Sequence, residues 1–299
     1  MATATAQLNR QRYRAMIEEA AAAHRAQERQ SIERWRGQYK PDEFLGMYSP
    51  PGYIGVQAQL EGFMYRLTGR SEYAEAAKRL LLSLDDFPSI VPDDIRRRHP
   101  EYADGITAFE PLFQGPHILE AYLHVKDSGV FSPAERERVE QSIRSAVRAI
   151  FHFPEWGAHN RSMLRAQALT LAIEALGDTE ETREWAKLRD YLAEESFGHW
   201  SIEDAEHYLP LWLISCIVVA ERLGIEKEYY AMPQTKFYFD YIVRLLTPYG
   251  QIPDFGDSHH NSNWYLWQVI LEKGASVYRC GHMKYAANLI YEYETQFGG

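Results

Sequence analysis

Cysteine is nearly absent. The chain carries only Cys216 and Cys280, far apart and inside apolar helical runs, so neither a disulfide framework nor a zinc site is indicated and both read as core thiols. Long hydrophobic runs are missing as well: no stretch of about 18 apolar residues occurs, which leaves no candidate for a membrane-spanning helix. Met1 to Arg14 lacks the apolar segment of a secretory leader. No signal peptide is therefore expected, and location stays open with the cytoplasm as the default. Positive charge is in deficit, with 32 Lys and Arg against 42 Asp and Glu for a formal charge of −10, so no general attraction to nucleic acid or to an anionic membrane is expected. An anionic ligand would need a local positive site. The sequence also lacks a Gly-rich phosphate loop, a nucleophile elbow, a His-Glu-x-x-His motif and a calcium-loop pattern. Nucleotide, triad and metal chemistry lose their usual support, and neither a metal nor a cofactor is expected.

Core-forming material is plentiful. At 299 residues the chain can bury roughly three quarters of its unfolded surface. Its 20 Tyr, 13 Phe and 7 Trp belong mostly to the core, yet their number also favours an aromatic-lined cleft of the kind sugar rings stack against. Strand-type alternation is scarce, whereas apolar residues at i, i+3, i+4 and i+7 predict helices over Gln57 to Leu67, Tyr73 to Leu84, Ile118 to Val125, Pro133 to Ile150, Ser162 to Leu176, Glu181 to Leu192, Leu209 to Leu223, Thr235 to Leu246, Trp264 to Tyr278 and Met283 to Tyr293. The charged segment Asn9 to Trp35 is helical too. The expected organisation is a single all-α domain over residues 1–299, with residues 1–40 as an N-terminal helical strap.

The helices come in pairs separated by recurring punctuation: Leu67-Thr68-Gly69, Asp127-Ser128-Gly129, Leu176-Gly177, Leu223-Gly224 and Arg279-Cys280-Gly281. In each pair the first helix is more apolar than the second, which fits an inner and an outer ring, with an open superhelical solenoid as the alternative. Parallel inner helices would gather their N-termini on one rim. Such a rim offers unpaired N–H groups and partial positive charge, so it suits a carboxylate even in an acidic protein.

Three polar clusters stand at predicted helix starts: Gly157-Ala158-His159-Asn160-Arg161, Glu203-Asp204-Ala205-Glu206-His207-Tyr208, and the loop Gln251 to His260 with Asp254, Asp257, His259 and His260. Carboxylates and imidazoles are costly to bury and unneeded in turns, so these clusters read as a site. Each member also has an ordinary reading. Asn160 serves equally as an N-cap, Tyr208 as an amphipathic boundary residue, Asp254 and Asp257 as turn formers, and His259 and His260 as surface imidazoles.

Taken together, these stretches resemble the helical toroid domain of the heparinase II/III and alginate lyase group of polysaccharide lyases. Ala158-His159-Asn160-Arg161 followed by Ala166 to Ala172 looks like the family's Asn-containing helix start. Glu203 to Tyr208 leading into Leu211-Trp212 is similar to its acidic run ending in a catalytic Tyr. Pro253-Asp254-Phe255-Gly256-Asp257-Ser258 is close to its Pro-x-x-Gly-Asp-Ser loop, and Leu67-Thr68-Gly69 with Tyr73-Ala74 matches its inter-helix turn. The resemblance covers about Gly52 to Tyr293. It implies an incomplete (α/α) toroid of antiparallel helix hairpins, here without the β-sandwich that usually follows and supplies a catalytic His.

The activity it implies is β-elimination on an acidic, uronic-acid-containing polysaccharide or oligosaccharide. Asn160 would neutralise the uronate carboxylate, Tyr208 would protonate the departing O4 oxygen and in a syn geometry also take the C5 proton, and His159, His207 or His259 is the alternative base. Substrate contacts are expected from Tyr53, Gln114, His117, Arg161, Glu203, Asp254, Asp257, His259 and Trp264. Two rival readings stay open. One is an inverting glycoside hydrolase pairing Glu203 or Asp204 with Asp254 or Asp257; the other is a noncatalytic helical repeat that binds a glycan or a protein. The oligomeric state is not encoded in any pattern found.

Overall fold

The structure is a computed structural model, and it describes residues 10–37, 51–91, 97, 105–152, 155–200, 205–256, 258 and 264–297. All regular structure among these residues is helical, with no strand. The chain packs as two compact units that interleave in sequence. An N-terminal unit holds the described residues up to His152 together with residues 168–187, and a C-terminal unit holds residues 155–167 and the described residues from Leu188 onward.

The N-terminal unit contains α1 (Arg10–Gly37), α2 (Pro51–Thr68), α3 (Ser71–Ser83), the short α4 (Phe87–Ile90), α5 (Gly115–Val125) and α6 (Pro133–His152). The α2 helix stops where the sequence predicts, because Gly69 takes a φ of 70° and returns its N–H to the Tyr65 carbonyl at 2.7 Å. Small residues let α2 lie close against α5. A Cβ at Gly55 would stand 3.0 Å from Ile118, one at Gly62 would stand 3.1 Å from the Ala121 carbonyl oxygen, and Ala58 between them is fully buried. On α5 Ile118, Leu119, Ala121, Tyr122 and Val125 are buried; each large apolar side chain so buried contributes about 1.5–3 kcal/mol. The α6 helix starts on a reciprocal cap: the Ser132 N–H donates to Glu135 Oε2 at 2.8 Å, and the Glu135 N–H donates to Ser132 Oγ at 3.3 Å. The charged segment predicted as a strap is α1. It packs on α2 through buried Ala21 and through Arg25, whose guanidinium lies 4.2 Å above the Tyr73 ring and bonds the buried Glu61 carboxylate at 2.6 Å.

Two helices are divided between the units, α7 (Asn160–Leu176) and α8 (Glu180–Ser196). The C-terminal unit continues with α9 (Leu209–Arg222), the short α10 (Glu226–Ala231), α11 (Pro233–Leu245), α12 (Trp264–Tyr278) and α13 (Gly281–Phe297). Its core is built on Leu213, Cys216, Tyr229, Phe239, Trp267 and Ile270, and burial pushes the Cys216 thiol well above its ordinary value. Prolines fix several starts where a missing N–H is harmless, Pro116 in α5, Pro210 in α9 and Pro233 in α11. The first helices of neighbouring pairs touch within each unit, α2 with α5 in one and α9 with α12 in the other.

One turn departs from the predicted punctuation. Between α12 and α13 the left-handed residue is Arg279, at φ 49°, and Gly281 instead opens α13. The Cys280 N–H reaches back to the Ala275 carbonyl at 3.1 Å, closing α12 one residue after Arg279. Cys280 is therefore a partly exposed turn residue rather than a core thiol.

Candidate functional site

In the C-terminal unit the second and third polar clusters meet. The tripeptide Glu206-His207-Tyr208 forms a turn closed by the Leu209 N–H on the Ala205 carbonyl at 2.9 Å, and the Tyr208 carbonyl then accepts the first bond of α9 from Trp212 at 3.0 Å. Tyr208 is half-buried and makes no side-chain cap. The His207 and Tyr208 rings stand edge to face at 89°, with centroids 4.7 Å apart.

Glu206, directly before them, is 0% exposed. Its N–H donates to the Phe255 carbonyl at 3.0 Å, its Oε2 accepts from Ser258 Oγ at 3.2 Å, and its Oε1 accepts from Trp267 Nε1 at 3.3 Å. Ser258 Oγ also lies 2.7 Å from Asp254 Oδ1. The described part of this loop, Gln251 to Gly256 and Ser258, has no regular structure and is thus fastened to the start of α9, with Ile252 buried and Asp254 exposed.

The first cluster opens α7. His159 occupies the cap position, since its carbonyl accepts the Met163 N–H at 3.2 Å. Asn160 is accordingly the first helical residue, and it is 3% exposed. The His159 ring folds back so that Nε2 stands 3.0 Å from the Trp156 carbonyl, which has no hydrogen to give, so Nε2 is the donor of that bond. Arg161 bonds Glu155 at 2.9 Å, and buried Arg165 lies 3.3 Å from the same carboxylate. Glu155 thereby offsets part of the positive charge that the sequence assigns to ligand binding. Trp264 opens α12, half-buried and edge-on to Tyr265 at 6.1 Å.

Tyr53, Gln114 and His117 belong to the N-terminal unit. Tyr53 lies in the first turn of α2. Gln114 is buried, and its Oε1 accepts the Glu110 N–H at 3.0 Å while the Glu110 carboxylate caps Leu112 and Phe113 at 2.8 and 2.7 Å, so its side chain organises the turn into α5. His117 Nδ1 lies 2.7 Å from Gln59 Oε1, and Gln59 Nε2 donates to Glu120 at 2.5 Å. Because an ionised carboxylate only accepts, the Gln59 amide must turn its N–H groups to Glu120 and its oxygen to His117, which puts a hydrogen on Nδ1. Burial pushes the His117 imidazole below its usual range. Glu203, Asp257 and His259 lie outside the described residues. Among the described residues no group of three or more His, Cys, Asp or Glu side chains is arranged to hold a metal ion, and no helix is long and apolar enough to cross a membrane.

Glu206 and Ser258 fall within the polar clusters of the sequence without a role of their own there, and Trp267 lies outside them. A signal was present for Glu206: it stands in helical phase with Pro210, Leu213, Ile217 and Ala220, all buried, so an acid on that stripe has to find partners. No protein-family model and no curated protein matches the chain.

Proposed function

We propose that the chain is a polysaccharide lyase that cleaves a uronic-acid-containing polymer by β-elimination. The observation that carries the reading is the junction at the start of α9, where the Tyr208 turn and the Pro253 to Ser258 loop, two stretches that resemble lyase motifs, are hydrogen-bonded to one another through Glu206. Buried Asn160 at the first turn of α7, in the same compact unit, supplies the third. The C5 proton of a uronate is weakly acidic, so its removal requires donors aimed at the carboxylate as the enolate forms. In this reading the Asn160 amide and the positive N-terminal end of α7 take that role. Tyr208 protonates the leaving O4 oxygen, and His207, in edge contact with its ring, is the base we assign. The fold that goes with this activity is an incomplete (α/α) toroid of antiparallel hairpins; the alternation of apolar and charged helices, and the contacts between first helices of neighbouring pairs, support it.

The test is a panel of alginate, glycosaminoglycans, pectin and glucuronan-type polymers followed by ultraviolet absorbance. Elimination leaves a conjugated double bond at the new non-reducing end, and absorbance should grow on at least one polymer. Saturated ends would instead assign a hydrolase, and binding without any product would assign a noncatalytic role.

A further inference from the structure

We propose that Glu206 is the positioning residue of the Tyr208 turn: its buried carboxyl group, held by Ser258 and Trp267, fixes the tyrosine against the loop Gln251 to Ser258. Only the kinetic part of the test below rests on the elimination reading.

Glu206 is fully buried in the stripe that continues into α9, a place where an apolar side chain would pack without needing partners. Its two oxygens point to two different elements, Oε1 to Trp267 on α12 and Oε2 to Ser258 on the loop, and its own N–H holds Phe255 of the same loop. Both side-chain partners are neutral donors. Three hydrogen bonds from one residue thus tie α9, α12 and the loop together, immediately before His207 and Tyr208. Truncating the side chain would remove the bonds to Trp267 and Ser258 and leave the backbone bond to Phe255 in place.

Hydrogen counting separates positioning from proton exchange. Ser258 has one hydroxyl hydrogen and two carboxyl neighbours, Asp254 at 2.7 Å and Glu206 at 3.2 Å, so it can donate to only one of them at a time. An amide at position 206 would keep every link: its oxygen accepts from Trp267, its N–H donates to Ser258 Oγ, and the Ser258 hydrogen goes to Asp254. Glu206→Gln should therefore preserve the two side-chain links that Glu206→Ala removes. A group that exchanged protons with substrate would tolerate neither change.

The experiment labels the protein with 3-fluorotyrosine, assigns the Tyr208 fluorine resonance by its loss in Tyr208→Phe, and compares Glu206→Ala with Glu206→Gln. The Tyr208 line should shift or broaden in Glu206→Ala, other tyrosine lines staying in place, and should return to its wild-type position in Glu206→Gln. On the polymer that the wild type cleaves, kcat should fall about 10²-fold in Glu206→Ala with KM little changed, and recover to within about threefold in Glu206→Gln. A Tyr208 line unmoved by Glu206→Ala overturns the proposal, and so does loss of turnover in the Gln variant with the line in place, which would make Glu206 a proton-exchanging group. If Glu206→Ala does not fold, Ser258→Ala removes a single hydroxyl and must itself move the Tyr208 line. A wild type that forms no unsaturated product, with fluorine lines behaving as described, would sink the lyase reading and leave the positioning role standing.

Discussion

Replacing Gly250 with alanine perturbs the turn that delivers the Gln251 to Ser258 loop, and its cost can be worked from two separate terms. Gly250 has a φ of 94°, and its N–H bonds the Thr247 carbonyl at 3.0 Å within a turn that Gln251 closes through bonds of 2.8 and 3.1 Å to Thr247. An L-residue in a left-handed conformation costs about 1–2 kcal/mol. The second term is steric: a Cβ at Gly250 would lie 2.3 Å from the Leu289 carbonyl oxygen and 2.7 Å from its carbon. These are backbone atoms of α13, so the helix or the turn must move, and overpacking of this kind costs about 1–3 kcal/mol. The sum is roughly 2–5 kcal/mol, which at about 2–4 °C per kcal/mol lowers Tm by roughly 4–20 °C. Gly224 in the same unit isolates the backbone term, since its φ is 70° and nothing lies within 4 Å of its Cβ position. Thermal unfolding of Gly250→Ala and Gly224→Ala, measured side by side, gives the steric term as their difference. A Gly250→Ala variant no less stable than Gly224→Ala would refute the reasoning.

Two pH-dependent outcomes follow from other residues. Burial lowers the folded pKa of His117 from 6.5, so the unfolded chain binds that proton more tightly and its contribution to stability is full above about 6.5 and lost as pH falls toward the lowered value; a nuclear magnetic resonance titration of the ring with its midpoint at or above the ordinary value would contradict this. The Glu135 carboxyl is held below 4.5 by the Ser132 N–H and hydroxyl, so its capping contribution is present above the ordinary carboxylate range and disappears as pH falls through the lowered value. Ser132→Ala, which removes the hydroxyl, should move the Glu135 titration midpoint back upward, and an unmoved midpoint would rule out the hydroxyl's part in that shift.

Local pattern carried the helices well. Periodicity alone places Trp264 to Tyr278 at the observed bounds, and it places α9 and α7 to within two residues, because their apolar stripes run for three turns or more. The one-turn α4 and the six-residue α10 were missed, since neither is long enough to show a period. Gly69 and Gly224 behave as the punctuation predicts. Arg279 does not, because the glycine two positions later is taken into α13 and the backbone bond from Cys280 selects the left-handed residue. The site was legible as three clusters but not as a geometry. The bonds that join two of them link residues 52 and 61 positions apart in sequence, Ser258 and Trp267 with Glu206, and no local spacing records such a contact. Gln114 shows the opposite case: a polar residue at a predicted helix start whose side chain is absorbed by the turn itself.

The central claim is elimination with Tyr208 as the group that protonates the leaving oxygen, and the most direct measurement is the rate of unsaturated-product formation by Tyr208→Phe beside the wild type. Only the phenolic oxygen is removed, so packing is retained while proton transfer is lost. On a polymer from which the wild type releases the ultraviolet-absorbing product, the variant should be slower by at least about 10²-fold. An unchanged rate in Tyr208→Phe, or a wild type that releases only saturated ends, would contradict the account.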